Sequence, residues 1–417
     1  MAYSETMAEN YLDQKNILLG VTGSIAAYKA ADLASKLAQA GARVDVILTL
    51  AAIEFVTPLT FQSVTGRPAF TDKALWGAEA HVLHVGLGHN ADALVIAPAT
   101  ANTIARLAYG LADNLLVLSA LSFGPGTPEH PLLIAPAMDG GMLSHPSTQA
   151  NLELLRQRGA IIIGPEEGHL ASGLEARGRM TEPVVLLGHI RYLLTRRGPL
   201  QARRVVVTAG GTQEAIDPVR FLTNRSSGKQ GFALAQAALD NGADVTLITT
   251  PVSLPIPTGA THIAVGSAAE MEAAVLRACQ DADVLLMAAA VADFRPAQVE
   301  LQKIKKRSKL SSLSLEATAD ILSAVTGQRV KMKHPKVVVG FAAESQDLVT
   351  NAVDKLKSKS LDLVIANDIS LPGSGFGADS NQVTFIQADG QTVPLPLLSK
   401  QEVADRVIDE VIFLLSR

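Results

Sequence analysis

The sequence predicts an α/β protein built of two doubly wound domains, and three observations predict it. First, a short apolar run, a glycine turn, an amphipathic stretch and a second apolar run open the chain, and the pattern returns after residue 203. Each is a βαβ unit, and two such starts point to two parallel sheets rather than one long sheet. Second, Ala91 to Ala99, Ala282 to Ala290 and Leu361 to Asp368 each read as a buried strand running into small or polar residues. In open parallel sheets ligands bind at that carboxyl edge. Third, 417 residues exceed one ordinary core, and 48% hydrophobic against 18% charged residues, with only 4% aromatic, describe a well-packed chain of layers.

Residues 1–14 are polar and read as a flexible tail, without the apolar stretch of a secretion signal. The first domain is expected over 15–190. Asn16 to Thr22 is a strand, Gly23-Ser24 a turn, and Leu33 and Leu37 mark a helix that Gly41-Ala42 ends before a second strand, Val44 to Thr49. Pro183 opens a short apolar helix, and 191–202, with Arg196-Arg-Gly-Pro199, reads as a linker. The second domain is expected over 203–417. It opens on Arg203 to Gly231, in which an apolar strand meets Thr208-Ala-Gly-Gly-Thr212, then Asp217-Pro218, then the donor-rich Asn224-Arg-Ser-Ser-Gly-Lys-Gln-Gly231 and a helix through Ala233 to Leu239. Glycines admit an anion to backbone N–H groups, and a helix N-terminus adds its positive end. Neither GxxxxGK[ST] nor GxGxxG is present, so spacing alone does not separate a phosphate cradle from an ordinary strand-to-helix turn. Pro251 to Gly259 is a proline-rich loop and Lys303 to Lys309 a basic one.

Charge and cysteine content exclude several classes. A net charge of -4 gives no general attraction to nucleic acid or an anionic membrane. Basic residues without interleaved aromatics, as in Lys303 to Lys309, do not make a stacking platform and ordinarily form a solvated loop. The single Cys279 excludes an intramolecular disulfide and suits a reducing, cytoplasmic setting; on a predicted helix it reads as inert packing. No apolar run reaches the roughly 18 residues of a membrane span.

Residue types that could carry chemistry cluster at the predicted strand ends. Gly23, Ser24, Thr49, Ala99 and Thr100 offer hydroxyls and amides to a phosphate, or simply cap helices. His84, in a predicted loop or strand after Trp76, is a base by type or a structural histidine. Met287 and Phe341 would ordinarily be core.

Taken together, GSIAAYK, HVGL, APATAN, PAMDGGM (Pro136 to Met142) and LASGLEARGRM (Leu170 to Met180) resemble the FMN-dependent cysteine decarboxylases. With TAGGT, DPVRFLTNRSSGKQG, AAAVADFRP, KIKK and GFAAES, the whole chain resembles the bifunctional phosphopantothenoylcysteine decarboxylase/phosphopantothenate-cysteine ligases of coenzyme A biosynthesis. The resemblance implies an N-terminal flavoprotein domain and a C-terminal Rossmann-like ligase domain. It implies that Gly23, Ser24, Thr49, Ala99 and Thr100 contact FMN. The flavin would oxidise the cysteine thiol towards a thioaldehyde, release carbon dioxide and return the hydride, with His84 as base or orienter. In the ligase it implies activation of 4'-phosphopantothenate by CTP, with Mg2+ or Mn2+, to an acyl-cytidylate that cysteine then attacks. Asn224 would handle the acyl-cytidylate and Lys303 the charge of the transfer. Ser226, Ser227, Gly228, Met287, Ala288, Ala289, Asp293, Asp320, Ile321, Phe341, Lys355 and Lys359 would meet the nucleotide; the metal ligands stay unassigned. It further implies a homo-oligomer, a dodecamer of trimeric decarboxylase and dimeric ligase domains, with small-molecule substrates and no nucleic-acid or membrane partner.

Three departures bear on these roles. Asp139 stands where the family has asparagine, and it can accept but not donate. Ser172 stands where the family has a proton-donating cysteine. A thiol with pKa about 8.5 gives up a proton far more readily than an alcohol, so water or Asp139 becomes the expected source. In Thr318-Ala319-Asp320-Ile321 the family's asparagine and proline are lost. A working decarboxylase with a coordinated Asp139/Ser172 pair is the expectation, and an active ligase with a silent flavin domain is its rival. A nicotinamide dehydrogenase lacks GxGxxG.

Overall fold

A computed structural model of the chain describes residues 11–76, 82–305, 312–344, 346–368 and 377–417. Two compact units part between Leu194 and Thr195, inside the stretch 191–202 that the sequence reads as a linker.

In the first unit the described strands are β1 (Asn16–Val21), β2 (Arg43–Leu48), β3 (Ala69–Thr71), β4 (Ala93–Ala99), β5 (Leu132–Pro136) and β6 (Ile161–Ile162). They form one parallel sheet in the order β3-β2-β1-β4-β5-β6. Every residue of β4 is buried, as a central parallel strand covered on both faces requires. Alternation along β1 feeds two cores. Ile17, Leu19 and Val21 pack with Ala30, Leu33 and Leu37 of the helix Ala27–Gln39, while Leu18 packs with Leu94, Ile104 and Leu116 on the other face. An antiparallel hairpin, β7 (Glu166–His169) and β8 (Glu175–Arg179), carries residues 170–174 at its tip.

Two expectations are corrected in this unit. Residues 11–14 do not form part of a loose tail: Leu12 is fully buried, its N–H donates to the Ala40 carbonyl at 3.0 Å, and the Arg191 guanidinium lies over the Tyr11 ring. Two apolar side chains in a polar stretch suffice to pin it, while residues 1–10 lie outside the described residues. His84 belongs to the short helix Leu83–His89, not to a loop or strand.

The second unit carries β9 (Arg204–Ala209), β10 (Gln213–Ala215), β11 (Phe221–Thr223), β12 (Asp244–Thr249), β13 (Thr261–Ala264), β14 (Val284–Met287), β15 (Phe294–Pro296), β16 (Leu315–Ala317), β17 (Val337–Glu344), β18 (Leu363–Asp368), β19 (Ser380–Gln387) and β20 (Thr392–Ser399). Among the described residues the main sheet runs β13-β12-β9-β14-β17-β18-β19-β20, and its first six strands repeat the order of the first unit. The helices Ala268–Ala278, Ile321–Met332 and Leu348–Ser358 build the core on one face. The helices Lys229–Asp240 and Lys400–Leu415 pack on each other and on β9, β12, β17, β19 and β20. Doubly wound topology stops at β18, because β19 and β20 pair antiparallel. The Asp389-Gly390 turn, with Gly390 at φ 88°, closes that hairpin. β20 is the outer strand, and it carries Pro394 and Pro396.

Candidate functional site

Both sheets reverse their strand order at one place, between β1 and β4 in the first unit and between β9 and β14 in the second. A crevice opens at such a switch point beyond the carboxyl ends of the strands. A threonine after or at the end of the first strand joins the two strand ends in each unit. The buried Thr22 hydroxyl donates to the Pro98 carbonyl at 2.7 Å and accepts the Thr100 N–H at 3.0 Å. The buried Thr208 hydroxyl accepts the Ala289 N–H at 3.0 Å and donates to Met287 Sδ at 3.4 Å.

Gly23 follows Thr22 because any Cβ there would stand 2.4 Å from the Ala51 Cβ. Ser24 Oγ accepts the Ala26 N–H at 3.3 Å, and the helix Ala27–Gln39 that follows has no side-chain cap. Thr49 ends β2 against β1, its N–H donating to the Val21 carbonyl at 3.1 Å. Its buried hydroxyl lacks a hydrogen-bond partner among the described residues, as does His84 Nδ1. Thr100 caps the helix Ala101–Tyr109 through the Thr103 N–H. Gly23, Ser24, Thr49, Ala99 and Thr100 therefore share one edge of the sheet.

Asp139 and Ser172 reach the same edge. The Ala137 N–H donates to the Ala99 carbonyl and the Met138 N–H to the Gly178 carbonyl on β8, each at 3.1 Å. Asp139 then caps the helix Gly140–Ser144 by accepting the Gly141 N–H at 2.9 Å. Ser172, at the hairpin tip, donates its hydroxyl to Asp139 Oδ2 at 2.7 Å. That hydrogen bond, followed by those from backbone N–H groups, holds the Asp139 carboxyl below the usual carboxylate range. No hydrogen bond among the described residues links His84 to this pair.

In the second unit a cavity of about 1050 Å³ lies beyond β9 and β14. Asn224, Ser226, Ser227, Gly228, Met287, Ala288, Ala289, Asp293, Asp320, Ile321, Phe341, Lys355 and Lys359 all line it. Gly228, at φ 76°, turns the loop into the helix Lys229–Asp240, which has no side-chain cap. Asn224 Nδ2 donates to the Val291 carbonyl at 3.0 Å. Lys355 Nζ donates to the Phe341 carbonyl at 2.7 Å. Lys359 Nζ donates to Ser323 Oγ at 3.0 Å and pairs with the Asp320 carboxylate. Burial opposes ionisation of Asp320, but the Lys359 ammonium and the Ser323 N–H outweigh it and hold the carboxyl low. Thr318, in the position of the family's asparagine, donates its hydroxyl to the Ala292 carbonyl at 2.6 Å and so ties its loop to the cavity wall.

Lys303 is the expected site residue that the structure does not bring in. It is exposed, and the described lining of the cavity does not include it. The neighbouring Ile304 is clamped instead: its N–H donates to Asp217 Oδ2 at 3.1 Å, and its carbonyl accepts Arg220 Nη1 at 3.2 Å. Burial raises the Asp217 carboxyl, but the N–H groups of Val219, Ile304 and Arg220 with the Arg220 guanidinium outweigh it and keep it low. The rest of the basic loop, 306–311, lies outside the described residues. Sequence reasoning passed over Thr22, Thr208, Lys229, Asn381 and Lys400. The threonines carry a faint signal, one hydroxyl residue before a glycine turn in both halves, and Asn381 and Lys400 carry none.

Among the described residues no three His, Cys, Asp or Glu side chains gather that could hold a metal ion, and no helix is long and apolar enough to cross a membrane.

Comparison with known proteins identifies the family. Residues 5–194 match the family model described as Flavoprotein, and residues 200–414 that described as the DNA/pantothenate metabolism flavoprotein C-terminal domain. The coenzyme A biosynthesis bifunctional protein CoaBC of Bacillus subtilis (strain 168) is 44% identical over 403 residues, covering 96% of this chain and 97% of that protein. Its counterpart in Escherichia coli (strain K12) is 40% identical over 401 residues, 95% of this chain and 97% of that protein. Among solved structures, the C-terminal domain of a CoaBC is 38% identical over 52% of this chain and 98% of its own, with a TM-score of 0.45. With identity of this degree running through both units, the chain belongs to the coenzyme A biosynthesis bifunctional protein CoaBC family.

Proposed function

We propose that the C-terminal unit joins 4'-phosphopantothenate to cysteine with CTP, and that the N-terminal unit decarboxylates the resulting phosphopantothenoylcysteine to 4'-phosphopantetheine with FMN. As a CoaBC family member the chain is a bifunctional enzyme of coenzyme A biosynthesis, with decarboxylase and ligase activities. The cavity at the β9/β14 switch point is the observation that carries the assignment of residues.

A carboxylate is a poor acyl donor, so the pantothenate carboxylate first attacks the α-phosphorus of CTP and pyrophosphate leaves. The cysteine amine then attacks the acyl carbon, CMP leaves, and the amine proton passes to solvent. Ser226, Ser227 and Gly228, with the uncapped helix N-terminus, suit phosphate oxygens. Lys355 and Lys359 neutralise charge on the nucleotide, and Phe341, Met287 and Ala288 pack against it. Ala289 and Asp293 flank the same wall, and Asp320 with Ile321 fixes the Lys359 end. Asn224 turns its amide from the Val291 carbonyl to the acyl oxygen. Lys303 takes part only if its loop moves in from the Asp217 clamp. A Mg2+ or Mn2+ ion would ride chiefly on the triphosphate, as Mg2+ commonly does.

The carboxyl edge of β1, β2 and β4 fits a phosphate-bearing flavin. It offers the orphaned Thr49 hydroxyl, the Gly23-Ser24 turn before an uncapped helix, and the Thr100 hydroxyl. FMN, when bound there, supplies a reversible two-electron acceptor that makes loss of the cysteinyl carboxylate possible. Asp139, ionised at neutral pH, accepts a hydrogen bond from the substrate amide and is a poor proton source. Ser172 holds that carboxylate. The product's proton therefore comes from water, and His84 serves as base or orienter from its short helix.

A family-typical asparagine and cysteine replaced by this pair favours one rival, a ligase with a silent flavin unit. Incubation with 4'-phosphopantothenate, cysteine, CTP and magnesium, followed by mass spectrometry, separates the two. Both phosphopantothenoylcysteine and 4'-phosphopantetheine are expected. The cysteine adduct alone would favour the rival, and neither product would overturn the assignment. The solution mass tests the further reading of a cytoplasmic dodecamer of trimeric and dimeric domains.

A further inference from the structure

We propose that Lys229 and Lys400, framed by Asn381 and Gln230, form a second anion subsite in the ligase cavity, one that takes a phosphate group distinct from the phosphate held by Lys355 and Lys359. The inference rests on the reading above, in which two phosphate-bearing molecules meet in this cavity.

The two lysine pairs reach the cavity from opposite sides of the sheet. Lys355 and Lys359 stand at the helix Leu348–Ser358, which belongs to the core with Ala268–Ala278 and Ile321–Met332. Lys229 and Lys400 are the first residues of two other helices, Lys229–Asp240 and Lys400–Leu415, which pack on each other. All four lysines line the same cavity.

The corner is built rather than incidental. Lys400 is only 6% exposed and Asn381 5%. Asn381 Nδ2 donates to Gln230 Oε1 at 2.9 Å, and Gln230 Nε2 donates to the Lys400 carbonyl at 3.1 Å. The Lys400 N–H donates in turn to the Asp379 carbonyl at 2.9 Å. This chain of bonds fixes the first turns of both helices against the start of β19.

Electrostatics gives the corner its sign. Burying an ammonium is costly, and bringing a second one near it costs more. Burial and the charge of Lys229 push the Lys400 ammonium towards its neutral form, and Asp379 only partly opposes them. Asp379 pairs with Lys229 at 2.6 Å, yet its side chain is 91% exposed, so water screens the pair and an incoming anion can displace it. A phosphate dianion meets both lysines, the Asn381 amide and the uncapped N-terminus of Lys229–Asp240. Two molecules in the reaction carry such a group away from the reacting carbon: the nucleotide through its outer phosphates, and the acyl substrate through its phosphomonoester.

The test uses the full chain and the variants Lys400→Met, Lys229→Met and Lys400→Arg. Calorimetric titration with inorganic pyrophosphate and inorganic phosphate reads the corner without turnover, so it stands even if the proposed reaction fails. At least one anion should bind the wild type about tenfold more tightly than either methionine variant, with Lys400→Arg recovering most of the loss. Equal binding to all four proteins would overturn the proposal. Steady-state kinetics then names the source: a KM raised about tenfold for CTP assigns the outer phosphates, and one raised for 4'-phosphopantothenate the monoester. Neither KM moving by more than about twofold in Lys400→Met would refute the subsite. Removing one member of a buried charged cluster can also weaken folding, so thermal melting of each variant accompanies the titrations, and the loss of affinity counts only for a variant that melts as a folded protein.

Discussion

Thr22→Val tests the idea that one hydroxyl holds the flavin edge together. Valine keeps the shape of threonine but neither donates to the Pro98 carbonyl nor accepts the Thr100 N–H, two bonds now at 2.7 and 3.0 Å around a fully buried side chain. Each stranded partner costs about 1–2 kcal/mol, so the N-terminal unit should lose about 3 kcal/mol. The entropy of unfolding for a unit of this length is roughly 0.4 kcal/mol/K, which converts the loss to a fall of about 7 °C in its melting midpoint. With the ends of β1 and β4 no longer tied, FMN should bind about tenfold more weakly, read from quenching of flavin fluorescence. Thr22→Ser keeps the hydroxyl and should stay near wild type on both readings. A Thr22→Val protein that melts within about 1 °C of wild type and binds flavin as tightly would refute the reasoning. In Thr208→Val the penalty should move to the KM for CTP and leave flavin binding alone.

Three further outcomes follow from the sites. In Ser172→Ala the Asp139 carboxyl loses its main stabilising donor and climbs back towards the usual range; the acid limb of the decarboxylation pH profile should shift to higher pH, and an unchanged profile with unchanged turnover would remove Ser172 from the mechanism. Asp217, Asp320 and Asp379 have carboxyls held low in the folded state, and so does Asp283, where burial is outweighed by the Lys336 ammonium, the Arg204 N–H and the Arg203 guanidinium. Their contribution is complete above the unfolded value of about 3.9 and is lost as pH falls through the lower folded values, so urea midpoints of the C-terminal unit should drop below about pH 4; midpoints flat from neutral pH to pH 3 would contradict this. Cys279 is buried, and burial pushes its thiol up to about 12; a thiol-reactive disulfide reagent should label it only after unfolding, and rapid labelling of the native protein would show that the helix end opens.

Most of the fold was legible because its strands are buried on both faces and so read as unbroken apolar runs ending at glycine, as in Leu18 to Val21 and Val205 to Val207. His84 was misread because the helix Leu83–His89 is too short to show a period and contains two glycines. The antiparallel β19 and β20 escaped notice because their pairing depends on the Asp389-Gly390 turn rather than on hydrophobic content. At the sites, motif matches reached residues close in sequence to the strand ends. They could not reach Lys400, which meets Gln230 across 170 positions. Nor could they show that Ile304 is bolted to Asp217, which is why the expected role of Lys303 outran its position.

The two prolines of β20 settle a problem that any open sheet carries. A free edge strand is a row of unused donors and acceptors, ready to recruit a neighbouring chain and extend the sheet without limit. Residues two apart in a strand point their N–H groups to the same side, so Pro394 and Pro396 strip two successive donors from one side of β20. A sheet tolerates that loss where the side in question faces outward. The sheet that holds the ligase cavity thus ends on a strand with two donors missing, which disfavours its extension by a further strand along this border.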